Sequence, residues 1–299
     1  MAAGLDAWIL PFTDVVVVVF LVALGANLGS FLNVVVHRLP RGESVVTGGS
    51  RCPSCGAAIR WHDNVPVLGW LWLGGRCRDC GEPISPRYPL VEAAAALIVG
   101  AVASVELLSG GQNLPGELFA GRPAGGEWLL LDPDWRLVAA CAVHCAVLVT
   151  LLAWALIDHN GHPLPSRLVA ITTALALAAA AWLPGVQPVA AGFGPAVGLP
   201  ARAIASAAGI GAGWCIGQMI GGPAARWMLM LIGAAFGWQA VVAIAALAIA
   251  CGGLRRLLSA AWPAAHFEHA CSYDIVVAAM VHQLAWRMIH QMGGWWHAV

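Results

Sequence analysis

Two C-x-x-C pairs form the first set of residues able to do chemistry together: Cys52 with Cys55, then Cys77 with Cys80. Each pair can close on a metal through a tight turn, and four thiolates complete the tetrahedral shell that Zn²⁺ prefers. The two halves repeat one another as R-C-x-x-C-G-x-x-I, at Arg51 to Ile59 and at Arg76 to Ile84. In each, a glycine, Gly56 or Gly81, follows the second cysteine, where a backbone with positive φ is easiest. Two knuckles sharing one zinc follow from this repeat. A shell of four cysteines leaves no open position for catalysis, so such a zinc is structural. The competing reading, two disulfides, is disfavoured in a reducing compartment.

The second chemical feature is a lone acid. In "ALIDHNGHPLP", Asp158 stands where a long apolar run gives way to a Gly- and Pro-containing turn. Acids at a membrane edge tend to be functional, and the plain alternative is a solvated helix end. Glu92, in "RYPLVE", is an acid in the first turns of the helix that leaves the insert, where it suits the macrodipole.

Several further groups are weighed against packing. Cys141, His144 and Cys145 in "CAVHC" share a helix face, which fits small polarizable residues between spans better than a metal site. "HFEHACSYD" brings His266, Glu268, His269, Cys271 and Asp274 into one polar collar. His282, Trp286 and His290 repeat at helical spacing. No G-x-G-x-x-G stretch follows a strand pattern, so nucleotide-loop chemistry is excluded at the motif level.

The elements that must position these residues are membrane helices. Of 299 residues, 60% are hydrophobic and 10% charged, with a mean hydropathy of +0.78; soluble domains carry about 25% charged residues. Apolar runs near 14–36, 88–107, 136–157, 168–186, 201–220, 228–253 and 272–292 are each long enough to span a hydrocarbon core. The fold expected is an all-α polytopic membrane protein of about seven transmembrane helices, with a small zinc-knuckle insert between the first two. The segments are 1–37, the first helix; 38–87, the insert; 88–254, the bundle; and 255–299, with a last membrane helix. The N-terminus has no basic region or small-residue cleavage site, so the first span is expected to be retained.

Net charge is zero and every basic residue is arginine. Seven of these fall between Arg38 and Arg87 against the acids Glu43, Asp63, Asp79 and Glu82, which predicts a cytoplasmic insert. The segment 108–134, with Glu117, Glu127, Asp132 and Asp134 against Arg122, fits the opposite side. Arg255 and Arg256 break the pattern if 228–253 is one span.

The insert and its flanks resemble the type IV prepilin peptidase family, also called leader peptidase/N-methyltransferase. The matching text is "LGSFLNVVVHRLPRG", both knuckles, "IRWHDNVPVLGWLWLGGRC" between them and "GEPISPRYPLVEAAAALI" after them, covering roughly residues 25–98. The resemblance implies a bacterial inner-membrane enzyme that removes the leader from type IV prepilins or pseudopilins at the cytoplasmic face, then N-methylates the new terminus with S-adenosylmethionine. It implies an aspartic protease in the bundle, a zinc-bearing insert associated with methylation with Glu92 as the candidate contact for the methyl donor or the substrate amine, contact with membrane lipid and no nucleic acid. Asp158 matches the family's first aspartate. Where the second belongs, ahead of "GAAFGWQ" at Gly233 to Gln239, the sequence has Ala225. Beyond Asp158 the chain has two acids, Glu268 and Asp274, and these are the possible substitutes. A homologue that binds pilin-like partners without cutting them, or one that only methylates, is the alternative.

Overall fold

The structure is a computed structural model that describes residues 2–115, 118–119, 121–187, 199–261 and 271–292. His266, Glu268 and His269 lie outside the described residues. The first helix, α1 (Ala2–Arg38), leads into the insert, which holds a short helix α2 (Leu68–Trp72), and α3 (Arg87–Leu108) leaves it. After α4 (Glu127–Leu131) come α5 (Trp135–His159), α6 (Ser166–Trp182), α7 (Leu199–Ile220), α8 (Pro223–Phe236), α9 (Trp238–Ala261), α10 (Cys271–Leu284) and α11 (Trp286–Met292). Among the described residues there is no strand, only two isolated bridges inside the insert. The protein is an all-α, multi-pass membrane protein. Among the described residues, five segments are long and apolar enough to cross a membrane: Phe12–Arg41, Arg87–Leu108, Trp135–His159, Leu199–Ile220 and Trp238–Leu258.

Two predicted spans need correction. The run 228–253 is not one helix, because the chain reverses at Gly237, whose φ of 85° and ψ of 176° suit only glycine. Periodicity cannot see this break, since the residues on both sides are apolar. The consequence is topological. Helix α8 runs away from the insert end and α9 runs back towards it, so Arg255 meets Asp274 at the end that also holds Asp158 and Gly221. Arg255 therefore lies with the insert, and the expected breach of the charge rule disappears. The run 272–292 is likewise two pieces, α10 and α11, broken at Ala285.

Small residues set the closest contacts. A Cβ on Gly209 would lie 2.3 Å from the Gly233 carbonyl oxygen, and one on Gly213 would lie 2.4 Å from that of Leu229. Helices α7 and α8 therefore pack antiparallel with their backbones touching, the packing mode that serves where lipid removes any hydrophobic drive for association. On the other side Gly29 sits against Glu92, its Cβ position 2.6 Å from the Glu92 Cα, which fixes α1 on α3. The centre of the bundle is α5, with Leu148, Leu151, Trp154 and Ile157 fully buried. Its first turn is capped by Asp134, whose Oδ1 accepts from the Arg136 N–H at 2.8 Å, and Asp134 also pairs with Arg122.

Candidate functional site

The insert is built as the repeat predicts. Cys52 N–H donates to Ala57 O at 2.9 Å and Gly56 N–H to Cys52 O at 2.9 Å. In the second half Cys77 N–H donates to Glu82 O at 2.8 Å and Gly81 N–H to Cys77 O at 2.9 Å. Gly56 and Gly81 have φ of 71° and 73°, so the residue type each turn demands is the one present. The two knuckles face one another, and one sulfur from each of Cys52, Cys55, Cys77 and Cys80 falls within 4.8 Å of the other three. The Cys52 and Cys80 sulfurs are 3.8 Å apart. Four sulfurs about 2.3 Å from a central Zn²⁺ in a tetrahedron stand roughly 3.8 Å from each other. The donor set therefore fits a metal ion of that size.

Held this close, the thiols do not ionise alike. Backbone N–H groups of Cys55 and Ser54 lower Cys52 to about 6. Cys80 is acted on in the same downward sense by the backbone at Glu82, but desolvation and the neighbouring thiols outweigh it and push it up to about 12. A cation at the centre would favour the thiolate on all four.

Between the knuckles Arg78 grips Asp63 with both arms, Nε to Oδ2 at 2.7 Å and a terminal nitrogen to Oδ1 at 2.5 Å. Asp63 is buried, and the hydrogen bond from Arg78 holds its carboxyl below the usual range. Glu92 projects from the first turns of α3 back to the insert, where its Oε2 accepts from Val67 N–H at 2.7 Å.

The bundle places the remaining candidates at the same end. Asp158, in the last turn of α5, accepts a 2.6 Å hydrogen bond at Oδ2 from the Ser272 hydroxyl of α10. Asp274 lies two residues further on, about 200° around a helix of 3.6 residues per turn. It therefore faces the other way, onto α9, where Arg255 binds Oδ2 at 2.8 Å and Oδ1 at 3.3 Å. Ala225 is buried in α8, beside Gly221, and Gly221 in turn abuts Cys271. Among the described residues, what meets Asp158 is thus a hydroxyl, while Asp274 pairs with an arginine. Neither Ser272 nor Arg255 was legible as a partner of these acids, because the sequence of α10 does not reveal which of its faces meets α5.

A second polar cluster sits deep in the opposite half of the bundle. His144 is fully buried; its Nδ1 lies 2.9 Å from both Glu106 carboxylate oxygens and its Nε2 is 3.3 Å from Val186 O. The Gln283 side chain donates from Nε2 to Glu106 Oε1 at 2.7 Å. The Gln283 amide nitrogen also lies 3.0 Å from His144 Nδ1, so one amide, one ring and one carboxyl group meet at a single point. This cluster joins α3, α5 and α10. An acid near the end of an apolar span was the available signal for Glu106.

Comparison with known proteins decides the insert. Residues 23–105 match the family model described as the bacterial peptidase A24 N-terminal domain. Over these residues the chain is similar to that family. The matched segment is 55% identical over 80 residues to the prepilin leader peptidase/N-methyltransferase of Myxococcus xanthus, 27% of this chain and 24% of that protein. It is 49% identical over 85 residues to the protein of the same name from Klebsiella pneumoniae, 26% of this chain and 37% of that one. It is 46% identical over 91 residues to the type 4 prepilin-like proteins leader peptide-processing enzyme of Escherichia coli, 24% of this chain and 34% of that one. The match thus spans about a quarter to a third of these curated relatives. No solved structure matches the chain significantly.

Proposed function

We propose that this chain is a prepilin leader peptidase/N-methyltransferase-type protein of the bacterial inner membrane. It engages the N-terminal region of type IV prepilins or pseudopilins at the cytoplasmic face through its zinc-bearing insert, and it lacks cleavage by an aspartate pair. The observation that carries this reading is the surroundings of Asp158. Two carboxylates that share a proton split their ionisation and so supply both base and acid. A hydroxyl such as Ser272, in 2.6 Å contact, cannot take that role. Of the two candidate substitutes, Asp274 is committed to Arg255 and Glu268 lies outside the described residues, and position 225 is alanine.

The cytoplasmic placement is supported by charge. Besides the insert's seven arginines, Arg167, Arg226, Arg255 and Arg256 lie at the insert end, against Arg122, Arg136, Arg202 and Arg287 at the other. Membrane lipid surrounds the bundle, as the outward Phe12, Phe20 and Phe31 of α1 suit. The intact insert favours one further activity, N-methylation of a prepilin terminus by S-adenosylmethionine, with Glu92 as a donor or amine contact in that reading. The ion held by Cys52, Cys55, Cys77 and Cys80 is structural zinc.

The test uses the full chain in proteoliposomes with a prepilin bearing a photo-crosslinker in its leader. Crosslinking without cleavage is expected, and Asp158→Ala leaves the products unchanged. Leader removal that disappears in Asp158→Ala refutes the reading and restores an active aspartic protease.

A further inference from the structure

The insert is tied to the membrane bundle by one strained turn. Val67 has φ of 62° and ψ of −53°, the only positive φ at a non-glycine among the described residues. A β-branched side chain avoids this region. The turn is closed by Leu68 N–H on Pro66 O at 2.6 Å, and it leaves the Val67 N–H pointing outward to Glu92 Oε2 at 2.7 Å. Glu92 itself is anchored, since α3 is pressed on Gly29 of α1 at that residue.

The other side of the turn leads to the cysteines. Helix α2 starts at Leu68, and a Cβ on Gly69 would lie 2.2 Å from Asp63 O, so α2 packs directly on the Asp63 backbone. Asp63 is held by both arms of Arg78, which sits in the second knuckle between Cys77 and Cys80. Trp70 of α2 makes a parallel link, its indole N–H donating to Ile84 O at 2.9 Å just past that knuckle. Every joint from the α3 carboxylate to the cysteine cluster is a hydrogen bond or a backbone contact with no slack.

We propose that Glu92 is a positioning residue that couples cation loading of the four-cysteine site to the seating of the insert on α3, through the Val67 turn and the Asp63–Arg78 pair. A strained turn persists only where its surroundings over-determine it. Ordering the second knuckle on a metal fixes Arg78 and Asp63, which fixes α2 and presents the Val67 N–H to Glu92. By linkage, the carboxylate must in turn strengthen metal binding. The inference rests on the reading of Cys52, Cys55, Cys77 and Cys80 as a cation site, and it is independent of any activity.

The test is made on the full chain in lipid nanodiscs, with Zn²⁺ affinity measured by chelator competition and amide hydrogen exchange followed at Val67 to Gly69. Glu92→Ala is expected to weaken Zn²⁺ about tenfold, the low end of the worth of one hydrogen bond to a charged group. Glu92→Gln, which keeps an oxygen acceptor, is expected to restore affinity to within about threefold. In the unaltered protein, zinc removal should speed exchange at Val67 and Gly69. Unchanged affinity in Glu92→Ala, glutamine failing as fully as alanine, or exchange at Val67 and Gly69 indifferent to zinc would each overturn the coupling. If Glu92→Ala does not insert, the exchange measurement and Glu92→Gln decide. An unaltered chain that binds no zinc would refute the cation site itself, a separate outcome.

Discussion

Replacing His144 by alanine tests the deepest polar contact in the bundle. The ring lies between the Glu106 carboxylate, 2.9 Å from Nδ1, and the Val186 carbonyl, 3.3 Å from Nε2. Both Glu106 and His144 are fully buried, with Phe236 and Trp286 packed edge-on to the imidazole at 5.5 Å. Removing one partner of a buried hydrogen-bonded pair costs about 1–3 kcal/mol, because the other partner is left unsatisfied and has no water to turn to. After His144→Ala the Glu106 carboxylate keeps only the Gln283 amide. Replacing both residues by apolar ones of similar size, Glu106→Met with His144→Phe, should recover much of that loss. The assay is reversible unfolding in detergent, read by tryptophan fluorescence and arranged as a double-mutant cycle. Because Gln283 ties the cluster to α10, the single variant should also loosen the Ser272 contact to Asp158 at the other end of that helix. Single substitutions that each cost under about 1 kcal/mol, or a double variant no better than their sum, would refute the reasoning.

Two further outcomes are expected. Gly213→Val forces a Cβ into the Leu229 backbone, 2.4 Å from its carbonyl oxygen. It should lower stability by about 1–3 kcal/mol as α7 and α8 separate; a melting temperature equal to that of the unaltered chain would contradict the packing. Cobalt(II) added to the insert should give thiolate charge-transfer absorption that is lost on acidification, since protons compete with the metal for all four sulfurs. The sign follows from the ligand: protons and metal compete for the same sulfur, so low pH favours release. Absorption that stays constant on acidification would exclude the four thiolates as the metal's ligands.

Local chemistry is what the sequence carried well. A knuckle is a short loop whose geometry is set by two cysteines and the glycine after them, so the repeat at Arg51 and Arg76 predicted both turns and their convergence. Apolar length likewise fixed the membrane helices α1, α3, α5 and α7, because the cost of unsatisfied backbone in lipid leaves little choice but helix. By contrast, the reversal at Gly237 was hidden in a uniformly apolar run, where one glycine with positive φ turns one span into two.

Tertiary structure alone decided what faces what. Asp158 was visible as a candidate, but its partner depended on the rotation of α10, which brings Ser272 to α5 and sends Asp274 to Arg255 on α9. Glu92 was legible as an acid at a helix start, and only the fold showed its carboxylate accepting from the strained Val67 turn. Spacing within a helix fixes which residues share a face, whereas the neighbour that each face meets is set by packing between segments far apart in the chain.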